Sequence, residues 1–112
     1  MEEVERLQHY FQVLSDVNRL RIIKFIDKEK RSVSEIVKNS SMSQPLVSHH
    51  LKVLKNSHLV ETQREGPFVF YQLTNPKILD ILGLFEEMLP NENLVSDFSP
   101  MFCCPSWWGN SN

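Results

Sequence analysis

Two closely spaced helix-start signals constrain the fold of this chain more than any other feature. Ser32 and Glu35 have the spacing of a capping box, in which each side chain accepts a hydrogen bond from the other residue's backbone N–H. Ser43 predicts a second N-cap, and Pro45 is tolerated in the first turn because its missing N–H would have no partner there. The first helix then ends near residues 39–40 and the second near residue 56. Two short helices joined this tightly are typical of a helix-turn-helix.

The flanking residues predict further helices and one hairpin. Apolar residues recur at helical spacing over residues 2–14, and a second helix follows a cap at Ser15 or Asp16. Its expected inward stripe consists of Val17, Leu20, Ile23 and Ile26, widened by Ile22 and Phe25. Strand patterns over residues 59–64 and 68–73 flank a Glu65-Gly66-Pro67 turn, and a last amphipathic helix covers residues 76–89. The predicted fold is mainly α with a β-hairpin wing (α+β), in the order α-α-α-α-β-β-α.

The chain divides into one domain and a tail. Its 112 residues suffice for one modest core, which we place in residues 1–90. Residues 91–112 combine helix-breaking Pro with aromatic side chains, and we expect this tail to dock, across a dimer. The acidic N-terminus does not resemble a signal peptide, and no apolar run approaches the length of a bilayer span. We therefore expect a cytoplasmic protein with no membrane partner.

The charge distribution permits binding to nucleic acid. The formal net charge is -2, but residues 1–73 carry eleven Lys and Arg against nine acids, and the deficit lies in the C-terminal third. The second helix of the predicted pair exposes a polar face, which favours double-stranded DNA, because a protein-binding winged helix, the alternative, should be apolar there. The candidate DNA-binding residues are Ser43, Gln44, Pro45, Ser48, His49, Lys52, Lys55 and, in the wing, Arg64.

No catalytic constellation is present in the sequence, so we do not expect an enzyme. There is no Gly-x-Ser-x-Gly motif, and the three glycines form no phosphate-binding loop. The histidines show no metal-ligand spacing. His50 is expected to be a core histidine with satisfied hydrogen bonds, His9 to lie on the first helix, and His49 and His58 to lie at the surface near DNA.

Several motifs, in order, resemble the ArsR/SmtB family of winged-helix repressors over roughly residues 5–90. They are Leu14-Ser15-Asp16 with Arg19-Leu20-Arg21-Ile22-Ile23, Met42-Ser43-Gln44-Pro45 with Val47-Ser48-His49-His50-Leu51-Lys52-Val53-Leu54, and Leu59-Val60, Arg64-Glu65-Gly66 and Tyr71-Gln72-Leu73. The resemblance implies a homodimer bound to an operator through residues 43–52 and the wing. It also implies dimerisation through the first and last helices, whose candidate interface residues are Leu7, Phe11, Leu82 and Phe85. Pro67 departs from the family pattern, in which many members carry a basic or bulky residue.

The resemblance also implies a signal that releases the operator, but the two best-known metal sites of the family do not carry over. Ser32 and Ser34 stand where one site needs cysteines, and residues 76–89 lack the histidines of the other. Adjacent Cys103 and Cys104 could instead chelate a thiophilic ion, with arsenite or methylarsenite as the expected inducer. The alternatives are passive packing of the two thiols, or a redox, haem or unknown signal. We expect no required cofactor, with an As(III) species as the possible inducer.

Overall fold

The computed structural model describes residues 2–89, which form five helices and three strands. The predicted tail over residues 91–112, with Cys103 and Cys104, lies outside the described residues. In chain order the elements are α1 (Glu3–Leu14), α2 (Val17–Ile26), β1 (Arg31–Ser32), α3 (Val33–Ser40), α4 (Gln44–Asn56), β2 (Val60–Glu65), β3 (Phe68–Leu73) and α5 (Lys77–Met88). None of the helices in this part of the chain has the length and apolar character needed to cross a bilayer.

The predicted helix caps are confirmed by their hydrogen bonds. The Asp16 carboxylate accepts from the backbone N–H groups of Asn18 and Arg19 at 2.8 and 3.2 Å, which fixes the start of α2. The Ser32 hydroxyl accepts from the Glu35 amide at 3.2 Å, and the Glu35 carboxylate accepts from the Ser32 amide at 3.1 Å. Three N–H groups that have no partner within their own helix are thereby satisfied in α2 and α3.

Strand β1 was missed by the sequence analysis, so the predicted order needs a correction to α-α-β-α-α-β-β-α. Its two residues pair antiparallel with β3, Arg31 opposite Tyr71 and Ser32 opposite Phe70. The sheet order is β1-β3-β2, which places the hairpin strand β3 in the centre. A strand of two residues has no measurable alternation of polarity, and only its distant partner shows that it exists.

The core lies between α2, α3, α4 and the base of the hairpin. Its buried apolar residues include Ile22, Ile23, Ile26, Ile36, Val47, Leu51, Leu54, Val60 and Leu73. Val17, which was expected to point inward, is exposed instead. A strict three-residue repeat drifts by about 60° per step on a helix of 3.6 residues per turn, so Val17 lies about half a turn from Ile26.

Helix α5 begins within one compact unit and continues into another. The first unit contains the described residues up to Asp80, and the second begins at Ile81. The helix itself is regular through Met88 and has no buried residue. Its predicted boundaries, residues 76–89, agree with the structure within one residue at each end.

Candidate nucleic-acid interface

The turn between α3 and α4 sets the direction in which α4 leaves the core. Ser41 adopts a left-handed conformation, with φ 62°, and its N–H donates to the Val37 carbonyl at 3.2 Å. The Ser40 hydroxyl accepts from the Met42 amide at 3.1 Å and donates to the Val37 carbonyl at 3.2 Å. The Ser40 side chain thereby stabilises a turn in which Ser41 occupies a left-handed position that glycine usually takes. The tight connection fixes where α4 begins.

Helix α4 has one buried side and one exposed side, as the sequence predicts. Val47, Leu51 and Leu54 are buried together with His50. The outer side carries Gln44, Ser48, Lys52 and Lys55, and all four are exposed. Two lysines and two neutral polar side chains therefore lie together on the exposed side of α4, and the opposite side of the same helix packs into the core.

The N-terminus of α4 is also exposed. Ser43 is the N-cap, and its hydroxyl accepts from the Leu46 amide at 3.4 Å. Pro45 lies in the first turn and His49 one turn further on, both at the surface. A helix N-terminus carries a partial positive charge that attracts phosphate, so this end of α4 complements a DNA backbone. With Arg64, all eight sequence-predicted DNA-binding residues lie at the surface of the protein.

The wing is the β2–β3 hairpin, whose tip combines one basic side chain, Arg64, with apolar residues. Gly66 has a φ of 61°, a conformation that the tight turn requires and that glycine adopts without strain. Arg64 lies opposite Val69 and is exposed, while Glu65 lies opposite Phe68. Lys30 forms an ion pair with Glu65, and its ammonium group lies 5.1 Å from the centre of the Phe70 ring.

Lys30 is a residue that the sequence analysis did not single out. It lies next to β1, and the pairing of β1 with β3 brings it to the hairpin. The ion pair compensates the one acidic side chain at the wing tip, which would otherwise repel phosphate. Lys28 and Arg31 lie close to position 30 in the sequence, but no local pattern connects this segment with Glu65, because the contact spans the whole helix-turn-helix.

His50 requires a correction: it belongs to the core, but its hydrogen bonds are not satisfied. The side chain is 5% exposed, and neither ring nitrogen has a hydrogen-bond partner. Burial lowers the pKa of His50 below its ordinary value of 6.5, and this effect outweighs the opposing influence of the Asp16 carboxylate. The positive charges of Arg19 and His49 act in the same direction as burial. The imidazole is therefore neutral at pH 7.

The other histidines lie at or near the surface, as predicted. His49 and His58 are exposed. His9, on α1, lies with its Nε2 atom 3.5 Å from the hydroxyl of Ser57, which follows α4. This contact connects the first helix with the C-terminal end of α4. Within residues 2–89, no group of three or more His, Cys, Asp or Glu side chains is arranged to hold a metal ion.

The chain has a helix-turn-helix whose second helix exposes a polar face, and a β-hairpin follows directly. These features define the class of winged helix-turn-helix DNA-binding proteins. Residues 16–62 match the family described as bacterial regulatory protein, arsR family. The chain belongs to the ArsR family and is a DNA-binding transcriptional repressor of that family, not an enzyme. The match covers α2 through the first part of β2, so it includes both helices of the helix-turn-helix but not Arg64 or the tip of the hairpin.

Individual proteins agree with this assignment. An uncharacterized HTH-type transcriptional regulator of Methanocaldococcus jannaschii is 30% identical over 89 residues, which are 79% of this chain and 100% of that protein. The arsenical resistance operon repressor of Staphylococcus aureus is 29% identical over 100 residues, 89% of each chain. The chain spans only 60% to 64% of the length of several other relatives that it matches.

A solution structure from Mycobacterium bovis shows the same fold. It is a homodimeric winged helix-turn-helix DNA-binding domain, a possible ArsR-family transcriptional regulator, with a TM-score of 0.67 and 23% identity. The similarity covers 84% of this chain and 81% of that one. The order of elements predicted from the sequence is thus confirmed apart from the short β1.

Proposed function

We propose that this repressor binds a roughly palindromic operator as a homodimer, in the cytoplasm, and releases it when a thiophilic ion binds Cys103 and Cys104. The main support for the proposed DNA binding is the arrangement of side chains on α4. Its exposed side presents Gln44, Ser48, Lys52 and Lys55 together, while its other side is buried. Gln44 and Ser48 have the donors and acceptors needed to read base edges, and Lys52 and Lys55 neutralise phosphates.

The proposed dimer interface rests on apolar residues that the protomer leaves exposed. On α1, Leu7 is 51% exposed and Phe11 is 58% exposed. On the part of α5 that follows Asp80, Phe85 is 50% exposed, and Leu82 is half-buried. Side chains of this size contribute about 1.5 to 3 kcal/mol each when they are buried, which favours association. The homodimeric state of the similar Mycobacterium bovis domain supports a homodimer as such.

Substitutions on these helices test the dimer. We expect Leu7→Glu or Phe85→Glu to give monomers in sedimentation and to lower operator affinity, because two linked recognition helices bind one operator more tightly than one. Gln12→Glu is the control, because this exposed residue lies on another side of α1, and it should leave the dimer intact. If the double variant Leu7→Glu/Phe85→Glu remained dimeric, the assignment of the interface would be wrong.

Arsenic is the proposed inducer because of the chemistry of the cysteine pair. Two adjacent thiolates suit a soft ion, and methylarsenite offers two replaceable positions, whereas arsenite prefers three sulfur ligands. The relative named arsenical resistance operon repressor, which matches over 89% of this chain, supports a trivalent arsenical. In this proposal the Cys103–Cys104 site couples to the recognition helices, and a coupling of about 1 to 3 kcal/mol suffices to release DNA.

The inducer is tested on the complex of the full chain with fluorescently labelled operator DNA. Methylarsenite, arsenite, Cd²⁺ and Zn²⁺ are titrated while anisotropy reports dissociation. We expect methylarsenite to release the wild type at the lowest concentration, and Cys103→Ser/Cys104→Ser to remain bound. Release of that variant at unchanged concentrations would rule out the cysteine pair as the sensor, and a wild type that responds to none of the four would rule out these arsenicals, Cd²⁺ and Zn²⁺ as inducers.

A further inference from the structure

The tip of the wing presents an exposed aromatic ring. Phe68 begins β3 directly after the Gly66-Pro67 turn and is 61% exposed. The half-buried Phe70 lies behind it, with ring centres 6.5 Å apart and planes inclined at 41°. The two rings occupy the same face of the hairpin because alternate residues of a strand point to the same side. Phe70 therefore supports Phe68 at the end of the hairpin but does not bury it.

The charges around this ring suit an approach to DNA. Glu65 lies opposite Phe68 in the hairpin, and Lys30 pairs with its carboxylate. Arg64, the neighbouring residue of β2, is exposed on the opposite face of the hairpin. The tip thus combines a compensated acid, one exposed cation and the apolar group formed by Pro67 and Phe68. If the wing contacted only phosphates, we would expect basic side chains at positions 67 and 68 and not this apolar group.

We propose that Phe68 is an apolar wedge that enters the minor groove beside the half-site bound by α4 and partly unstacks one base step. The inference rests on the operator binding proposed above. The minor groove of B-DNA is about 6 Å wide, which admits the edge of a phenyl ring. Phe and Pro are among the side chains that insert between base steps from this groove, and pyrimidine–purine steps yield most easily. Phe68 then selects deformable flanking sequence that α4 does not reach.

The test uses the full chain and an operator selected in vitro from random duplexes. 2-Aminopurine is placed at successive positions flanking each half-site, since its fluorescence rises when the base unstacks. We expect the wild type and Phe68→Leu to raise the fluorescence at one flanking step. Phe68→Ala should abolish this signal and lower operator affinity by about tenfold, the order expected for losing one aromatic–base contact. Thermal melting should be unchanged, because the side chain is exposed.

Arg64→Ala is the matched control within the same hairpin. It should weaken binding and reduce the salt dependence by about one counterion, yet keep the fluorescence signal at saturating protein. Phe68→Ala should leave the salt dependence unchanged. If Phe68→Ala retained the signal, or lowered only the salt dependence, the wedge would be refuted while operator binding stood. A wild type that did not prefer the selected operator to random DNA would refute operator binding itself.

Discussion

The recognition helix α4 and the wing are the two parts of the candidate interface, and different forces hold them in place. Helix α4 is fixed from below by Val47, Leu51 and Leu54, which are at most 1% exposed. The wing projects from the core as a two-stranded ladder, supported by β1, which pairs with Phe70 and Tyr71 in the middle of β3, and near its tip by the Lys30–Glu65 ion pair. Substitutions under α4 should therefore change folding and DNA binding together, whereas substitutions at the wing tip should change DNA binding alone.

The largest expected effect comes from the buried side of α4. Leu51→Ala should lower the free energy of unfolding by about 2 to 5 kcal/mol, because it removes buried methyl groups and leaves a cavity. The measurement is urea denaturation followed by circular dichroism. Phe68→Ala in the wing is the comparison and should change stability by less than about 0.5 kcal/mol. Equal losses in the two variants would contradict the proposed difference between α4 and the wing.

On the exposed side of α4, two substitutions separate base contacts from phosphate contacts. Gln44→Ala should weaken operator binding by about 1 to 3 kcal/mol and leave binding to random DNA unchanged. Lys52→Ala should weaken both, and its effect should fade as salt concentration rises, because phosphate contacts carry no sequence information. Anisotropy titrations on the selected operator and on a scrambled duplex measure both. If Gln44→Ala lowered the two affinities equally, Gln44 would not be a base contact.

The sequence predicted the parts of the fold that depend on neighbouring residues. The caps at Ser32 and Ser43 and the two faces of α4 follow from local spacing, and the structure confirms them. Contacts between distant segments were not predictable in the same way. Strand β1 exists only because β3 pairs with it, and Lys30 meets Glu65 only as a consequence. The local pattern placed His50 inside, but its missing hydrogen bonds depend on which groups surround it in three dimensions.

His50 predicts a pH dependence of stability that arises beneath α4 and not in the wing. Its pKa is lowered in the folded protein, so the unfolded chain takes up a proton first as pH falls. Stability should therefore be highest above the ordinary pKa of 6.5 and decline as pH drops from there toward the lowered pKa. Asp16, whose ordinary pKa is 3.8, contributes at lower pH: burial opposes its ionisation, but the N–H groups of Arg19 and Asn18 lower its pKa overall.

Urea midpoints at pH 7.5 and 5.5 test this for the wild type, His50→Leu and His58→Asn. The wild type should lose stability at the lower pH, and His50→Leu should lose less, because leucine fills the buried site without a proton to gain. His58 is the control, because it is exposed and is not among the groups that shift the pKa of His50: His58→Asn should retain the dependence of the wild type. An equally steep pH dependence in His50→Leu would assign the effect to other groups.

The smallest expected effect concerns the ion pair that supports the wing tip. Both side chains of the Lys30–Glu65 pair are about half exposed, so Lys30→Ala should lower stability by no more than about 1 kcal/mol. Its effect on DNA binding should be clearer, because the carboxylate of Glu65 then faces phosphates without compensation. We expect affinity to fall by about two- to fivefold, with a smaller loss at high salt.

Two further variants separate this role of Lys30 from a general loss of charge. Glu65→Gln added to Lys30→Ala should restore most of the affinity. Lys28→Ala removes the same charge from the same loop, and adding Glu65→Gln to it should not restore affinity. If the double variant stayed as weak as Lys30→Ala alone, Lys30 would act by contacting DNA directly and not by compensating the charge of Glu65.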